Sequence, residues 1–419
     1  MTLTLDPGAV LPDDDASALL LGRVFDPAVG GPTVVAVVGD RLVDLGAVAP
    51  TVSQLLERDD PAALVRAVID QEAARDEVSG DEATPTPTAT PTTPAPSSWA
   101  LADVLDATAA GRGDAVRLLA PIDLQAIKAA GVTFVSSMLE RVVEERAAGD
   151  ASLAVRMREK LADAVGGAIG SVVPGSEEAA RVKAALLDEG MWSQYLEVGI
   201  GPDPEIFTKA PVLSAVGSGS PVGVLERSTW NNPEPELVLV TDSRGRPRGA
   251  TLGNDVNLRD FEGRSALLLG KAKDNNASCA LGPFIRLFDE GYSIEDARGT
   301  EIDLVVSDDA GYRMEGRNSV ARISRPFEEL IGAAIGRHHQ YPDGLALFTG
   351  TLFSPTQDRD EPGLGFTHHP GDVVTISSPR LGSLVNTVGF SERAPEWTFG
   401  IAALMTNLAA RGLLAGAAR

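Results

Sequence analysis

Apolar and polar positions change their period several times along this chain of 419 residues. In "PTVVAVVGDRLVDL" two apolar runs flank a Gly-Asp turn at Gly39 and Asp40, the pattern of a β-hairpin. "TVSQLLERDDPAALVRAVIDQEAARDE" follows with helical spacing interrupted at Pro61. "VSGDEATPTPTATPTTPAPSS", residues 78–98, then alternates Thr and Pro and lacks large apolar residues. Such a segment buries too little surface to offset its ordering entropy, so it reads as a linker or insertion. From Leu118 the texture changes. "SSMLERVVEERAAGDASLAVRMREKLADAV" and "SEEAARVKAALLDEG" are helical, the second with Ser176 as N-cap and Gly190 as stop. After Met191 strands dominate: "ELVLVTDSRGRPRGATLG" as strand, turn and strand, then "EIDLVVSD", "GLALFTG", "DVVTIS" and "LGSLVNTVGF". A helix over "FGIAALMTNLAARGLL" closes the pattern, and no repeat of fixed period is found. These elements predict an α+β, strand-rich fold with antiparallel or mixed sheets rather than regular βαβ units. They divide the chain into an N-terminal α+β domain over 1–117, which includes the Thr/Pro-rich linker, and a larger domain over 118–419.

Charge narrows the class of partner. The net charge of -23 repels a phosphate backbone and an anionic lipid surface, so nucleic acid and membrane are poor partners. It also opposes an anionic substrate unless a metal or local cations offset it. The single cysteine, Cys279, cannot form an internal disulfide and reads as a small core residue. With no basic-then-apolar leader and no apolar run long enough for a bilayer, a cytoplasmic protein is expected.

Candidate chemistry gathers in the strand-rich half. In "WNNPEPELVLVTD", Glu234 and Glu236 are two residues apart and so share one face of a strand. Leu237, Val238, Leu239 and Val240 follow directly, so that strand reads as buried on both faces. Buried carboxylates are expensive unless a hard cation shares them. A hairpin would bring Asp255 of "GNDVNLRDFEG" beside them. Three carboxylates with open positions suit Mg²⁺, and the lack of nearby His or Cys disfavours zinc. Taken without that context, Asp255 and Asn254 read equally well as turn residues, and Arg259 with Asp260 as a structural ion pair. Lys271 and Lys273 in "GKAKDNNASCALG" are either a solvated pair or, beside a metal-bound anion, groups that orient a carboxylate or move a proton once a pKa is depressed. The four histidines form two adjacent pairs. His368 and His369 read as an exposed turn, while His338 and His339 in "HHQYPDG" leave open that one member reaches the site. "AVGSGSPVG" runs into a strand rather than a helix, which rejects a dinucleotide fingerprint.

The ordered set of E-x-E on a strand, Asp in "NDVNLRD", Lys before "ASC", and "TGT" resembles the fumarylacetoacetate hydrolase family over Leu118 to about Phe390. The resemblance implies a β-roll-like catalytic domain and a homodimer or homotetramer acting on a small 2-keto acid. It implies Mg²⁺, with Mn²⁺ as a substitute, on Glu234, Glu236 and Asp255. The family lysine falls on Lys273 and the family Thr-Gly-Thr on Thr349 to Thr351; both would contact substrate. The family's hydrolases carry a His, with a Glu three residues later, in a lid helix. Here "GVTFVSSMLER" puts Ser137 at the histidine position and keeps Glu140, and the helical stretch 137–190 reads as an enlarged lid. That departure turns the expectation from C–C hydrolysis to dehydration. "WNNPEPE", "HQYPDG" and "WTFGI" resemble the branch that dehydrates 2-keto-3-deoxypentonates derived from xylonate or arabinonate to 2,5-dioxopentanoate, a step of pentose oxidation. Glu140 and Lys273 are then the expected proton-transfer residues, with Ser137, Lys273, Thr349, Thr351 and His339 as substrate contacts. The alternatives are a diketo-acid C–C hydrolase using a base such as His339, and a metal-dependent 2-keto acid binding protein.

Overall fold

A computed structural model describes residues 3–80, 96–148, 150–154, 172–188, 190, 192–353, 355, 357–361 and 365–414. The architecture is mixed and strand-rich, as expected, and no sheet closes into a barrel among the described residues. One large sheet contains both halves of the chain. In spatial order its central strands are Leu20–Asp26, Cys279–Leu287, Pro247–Asp255, Pro235–Thr241, Leu345–Phe348 and Ala126–Gly131. Gly31–Val38, Arg41–Asp44 and Ser98–Ala100 extend it on one side and Glu205–Ala210 on the other. All these neighbours are antiparallel except Leu345–Phe348 with Ala126–Gly131. A five-stranded sheet, built around Glu301–Ser307 and Val373–Ser378, packs against the large one.

The strand Pro235–Thr241 shows why the centre of the large sheet is rigid. Leu237 and Leu239 enter the core between the two sheets, with Leu304, Val374 and Ile376. Val238 and Val240 enter a second core on the opposite face, with Leu21, Val52 and Leu55. Burial of such side chains contributes about 1.5–3 kcal/mol each, so four in succession anchor the strand against the cost of charge at its start. The hairpin that follows is fixed by Asp242, whose Oδ1 accepts from the backbone N–H of Arg244 (2.9 Å) and Arg246 (3.0 Å). This sets the register Glu236 opposite Gly253 and brings the Asp255 N–H to the Glu234 carbonyl at 3.0 Å. A one-residue slip would turn Asp255 to the other face.

Several expected elements are present. The hairpin turns at Gly39 (φ 57°) between Gly31–Val38 and Arg41–Asp44. Ser176 caps the helix Glu177–Asp188 by accepting from the Ala179 N–H (3.1 Å), and Gly190 lies in the left-handed region (φ 66°). Of the stretch expected as a lid, Val135–Arg146 is also helical, and residues 155–171 lie outside the described set. In the Thr/Pro-rich stretch, 81–95 lie outside it too. The flanks belong to elements, since the helix from Pro61 runs to Gly80 and a strand starts at Ser98. The boundary expected at 117 falls within the short strand Arg117–Leu118, which pairs with Val24 and Phe25. No described helix is long and apolar enough to cross a membrane.

Candidate active site and metal centre

Glu234 and Glu236 flank Pro235 at the start of the central strand, and Asp255 ends its hairpin partner. Their carboxylates can each offer one oxygen so that the three oxygens lie within 4.8 Å of one another, and all three residues are buried. Lys273, at the end of the short helix Leu269–Lys273, reaches in from the side. Its Nζ bonds Glu234 and lies 2.9 Å from Asp255. Lys209 lies 2.8 Å from the other Asp255 oxygen and donates to the Val256 carbonyl at 3.2 Å. The Gly350 N–H donates to Glu236 at 2.6 Å. Gly350 has φ 101°, and a side chain there would overlap Thr133, so the close backbone approach to Glu236 depends on glycine.

Further charges meet the cluster where the helix Val135–Arg146 packs over the helix Arg259–Glu262. Arg141 bonds Glu234, and its Nη1 lies 2.7 Å from both Glu144 and Glu262. Arg259 donates to Glu144 (2.6 Å) and Glu140 (3.2 Å), and its guanidinium stacks 4.6 Å from the Trp230 ring centre. The same helix is held by apolar packing of Met138, Val142 and Val143 on Leu196 and Ile200 of the helix Gln194–Ile200.

These charges do not cancel. Five buried carboxylates, on Glu144, Glu234, Glu236, Asp255 and Glu262, face four buried cations, on Arg141, Lys209, Arg259 and Lys273, with Glu140 and Glu205 adding acidity at the edge. The consequence falls on Glu236. Burial, then the like charges of Asp255 and Glu234, push its carboxyl well above the usual range. Burial also disfavours the Asp255 carboxylate, yet Lys209 and Lys273 outweigh it and hold its pKa low. Burial works against the Lys273 ammonium too, but Asp255, Glu234 and Glu262 prevail and raise its pKa. Lys273 is therefore a fixed cation, and the depression that would make it a base is absent. An oxygen-only donor set with surplus negative charge fits a hard divalent cation such as Mg²⁺, which takes carboxylates and keeps open positions for water or substrate.

Glu234, Glu236, Asp255, Lys273, Ser137 and Thr351 line one small chamber together with Arg141, Glu205 and Glu262. Ser137 Oγ donates to the Phe134 carbonyl (2.9 Å), and Thr351 Oγ1 to the Phe353 carbonyl (3.0 Å). Thr349 is buried beside the chamber with its hydroxyl on the Leu237 carbonyl, so Gly350 is the residue of Thr-Gly-Thr that reaches the cluster. Glu140 lies against Arg259 and does not line the chamber. His339 is exposed in a turn and packs edge-on against Tyr341 at 4.6 Å. Three expectations are corrected. Arg259 pairs with Glu144 and Glu140, whereas Asp260 takes the Ser228 hydroxyl, because adjacent side chains of the helix Arg259–Glu262 do not face each other. His368 is buried on Asp372 and only His369 is half-exposed, because the chain turns back on Asp372 there. Lys271 and Lys273 do not act as a pair, since helical geometry leaves Lys271 in solvent. Sequence reasoning missed Arg141, Glu205, Lys209 and Glu262. The one signal for Arg141 was its i,i+3 spacing to Glu144, which on its own reads as a solvated pair.

The fumarylacetoacetate hydrolase C-terminal family matches residues 194–389, which contain the three carboxylates and Lys273. The chain is 36% identical over 185 residues to 2-dehydro-3-deoxy-D-arabinonate dehydratase of Saccharolobus solfataricus. It is 30% identical over 213 residues to a probable 2-keto-3-deoxyxylonate dehydratase of Haloferax volcanii. Those matches take in 44% and 51% of this chain, and 58% and 68% of the relatives' own lengths. In fold it is similar to a 2-keto-3-deoxy-D-arabinonate dehydratase complexed with magnesium and 2,5-dioxopentanoate. That likeness has a TM-score of 0.55 at 22% identity and covers 88% of this chain and 99% of the other. On these matches the chain belongs to the fumarylacetoacetate hydrolase family.

Proposed function

We propose that the protein is a Mg²⁺-dependent hydro-lyase that converts a 2-keto-3-deoxypentonate to 2,5-dioxopentanoate. The observation that carries this reading is the buried triad Glu234, Glu236 and Asp255 with Lys273 beside it, in a chain similar to proteins named as dehydratases of such sugar acids. Ser137 supports it from the negative side. It stands where the hydrolases of the family carry histidine, and its hydroxyl is turned to a backbone carbonyl.

Glu234, Glu236 and Asp255 would hold the cation, which when bound supplies Lewis-acid charge to the oxygens of a 2-keto acid. The fixed charge of Lys273 favours the substrate carboxylate and the negative charge that develops on the keto oxygen when a C3 proton leaves. Loss of the C4 hydroxyl as water then gives a C3–C4 double bond conjugated to the keto group. Moving a proton from C5 to C3 shifts that bond to C4–C5 as an enol, which tautomerises to the aldehyde. The helix Val135–Arg146, tied to the cluster through Arg141, covers the chamber and excludes bulk water.

A coupled assay tests the reading. Protein with Mg²⁺ receives 2-keto-3-deoxy-D-xylonate or its arabinonate epimer, and a semialdehyde dehydrogenase reports the product as NADH. An EDTA-sensitive signal is expected. No signal from either epimer, with pyruvate released from an acylpyruvate instead, would replace the dehydratase by a C–C hydrolase.

A further inference from the structure

A second cavity, of about 870 Å³, shares no residue with the acidic chamber. Its volume lies within the range of about 300–1,000 Å³ usual for small-molecule sites. The strands Leu20–Asp26 and Arg117–Leu118 form one wall. The end of the helix Leu101–Ala109, the loop through Ala215 and Val216, and residues 395–399 form the others. Trp397 and Phe399 belong to "WTFGI", a sequence motif with no member in the chamber.

Two arginines line this cavity, and only one is used by the fold. Arg23 donates to the carbonyls of Ala120 (3.3 Å) and Ile122 and stands 4.0 Å from Asp123. Arg117 has no such partners. Strand register sets it directly opposite Phe25, and its guanidinium lies 4.2 Å from that ring's centre. Its Nη1 is buried without a hydrogen bond, and among the described residues no carboxylate lies within ion-pair distance of it. Burial alone, unanswered by any neighbouring charge, lowers its pKa. Glu396, the one carboxylate among the described lining residues, is exposed and does not pair with it. A desolvated cation without a partner is expensive, so the fold carries a cost here that an anion would offset. Around it the surface is aromatic. Phe25 meets Phe399 edge-on with ring centres 6.3 Å apart, and the half-exposed Trp397 is tied to the Phe399 carbonyl through its Nε1 at 3.1 Å.

We propose that this cavity is a second ligand site, which takes a small organic acid with an aromatic body, its carboxylate on Arg117 and its ring among Phe25, Trp397 and Phe399. The site stands apart from the acidic chamber and does not rest on the dehydratase reading. A guanidinium offers a carboxylate paired, charge-assisted donors, which a neutral ligand cannot use. The aromatic walls supply apolar area and edge or face contacts for a ring. The net charge of -23 opposes an anion over most of the surface, so the unpaired guanidinium is what admits one here.

Calorimetric titration of the dialysed protein with naphthalene-2-acetate tests the assignment. One saturable site per chain is expected. Naphthalene-2-acetamide keeps the ring and loses the charge, and acetate keeps the charge and loses the ring; each should bind at least about tenfold more weakly. Arg117→Met keeps an apolar stem over Phe25 and should weaken the acid by about tenfold. It should not lower the melting temperature, since the cation it removes has no partner. Trp397→Ala, at a half-exposed ring, should weaken the acid by about fivefold. Asp255→Asn should bind it as wild type does; loss of binding there would put the acid in the chamber and overturn the second site. So would the absence of saturable binding by the wild type, or an affinity that Arg117→Met and Trp397→Ala both leave within about threefold of wild type. Sedimentation supplies the remaining contradiction. An oligomer that Arg117→Met or Trp397→Ala dissociates, with the acid bound by neither wild type nor variant, would make this face a seam between copies of the chain instead.

Discussion

Arg359 and Glu236 both sit in the interior beside other charges, and their neighbourhoods have opposite characters. Arg359 grips Asp372 through two parallel hydrogen bonds (2.6 and 2.7 Å), reaches Asp308 at 2.9 Å, and lies 4.3 Å from the Tyr312 ring centre. Asp372 also takes the His368 imidazole (3.1 Å) and the His369 N–H (3.0 Å). Buried as it is, Asp372 is pulled down to about 2 by Arg359 and His368. Its charge is matched by its partner, and every lone pair that matters is used. Around Glu236 the carboxylates outnumber the cations, and burial together with the like charges of Asp255 and Glu234 pushes its carboxyl far up. The first arrangement holds a loop in place. The second stores repulsion that a bound cation would relieve, and that difference separates a structural knot from a candidate site.

The largest effect expected from this contrast is at Asp255. Asp255→Asn should lower turnover by more than about 10²-fold and leave the far-ultraviolet dichroism unchanged; near-normal activity would remove Asp255 from the centre. At the knot, Asp372→Asn should instead cost about 3–5 kcal/mol of stability, read by denaturant unfolding, with the kcat of the folded fraction unchanged. The depressed Asp372 pKa gives its contribution a sign. It is fully present above the ordinary carboxylate range near pH 4 and is lost as pH falls towards about 2, so variant and wild type should converge there. Glu236→Gln removes the repelled charge and should make the chelator-treated protein more stable, on the order of 1 kcal/mol or a few degrees, while abolishing the gain on adding Mg²⁺. A variant less stable than wild type in chelator would show that the site holds no surplus charge. The smallest effect is expected at His339, which stands outside the chamber; His339→Ala should change kcat/KM by less than about twofold.

How far the sequence could be read follows the same contrast. Glu234, Glu236 and Asp255 were legible because strand period and hairpin geometry are local, and Val238 and Val240 announced a strand buried on both faces. Arg141 and Glu205 were not, because they reach the chamber from 93 and 29 residues before Glu234 through sheet and helix packing that no local pattern encodes. Lys273 lines the chamber, but the depressed pKa that proton transfer there would need is absent, because the three carboxylates that outweigh burial come from separate elements that no local pattern joins. His368 looked like an exposed turn from its Pro-Gly neighbours, and only the return of the chain onto Asp372 buries it. The sheet that joins Leu20–Asp26 to Cys279–Leu287 is likewise a long-range pairing with no signature in either segment.

We propose that surplus buried negative charge at Glu234, Glu236 and Asp255 holds one divalent cation. Calorimetric titration of the chelator-treated, dialysed protein with Mg²⁺ tests it most directly. One site per chain is expected in the wild type and none in Asp255→Asn. No binding by the wild type, or equal binding by the variant, would contradict it.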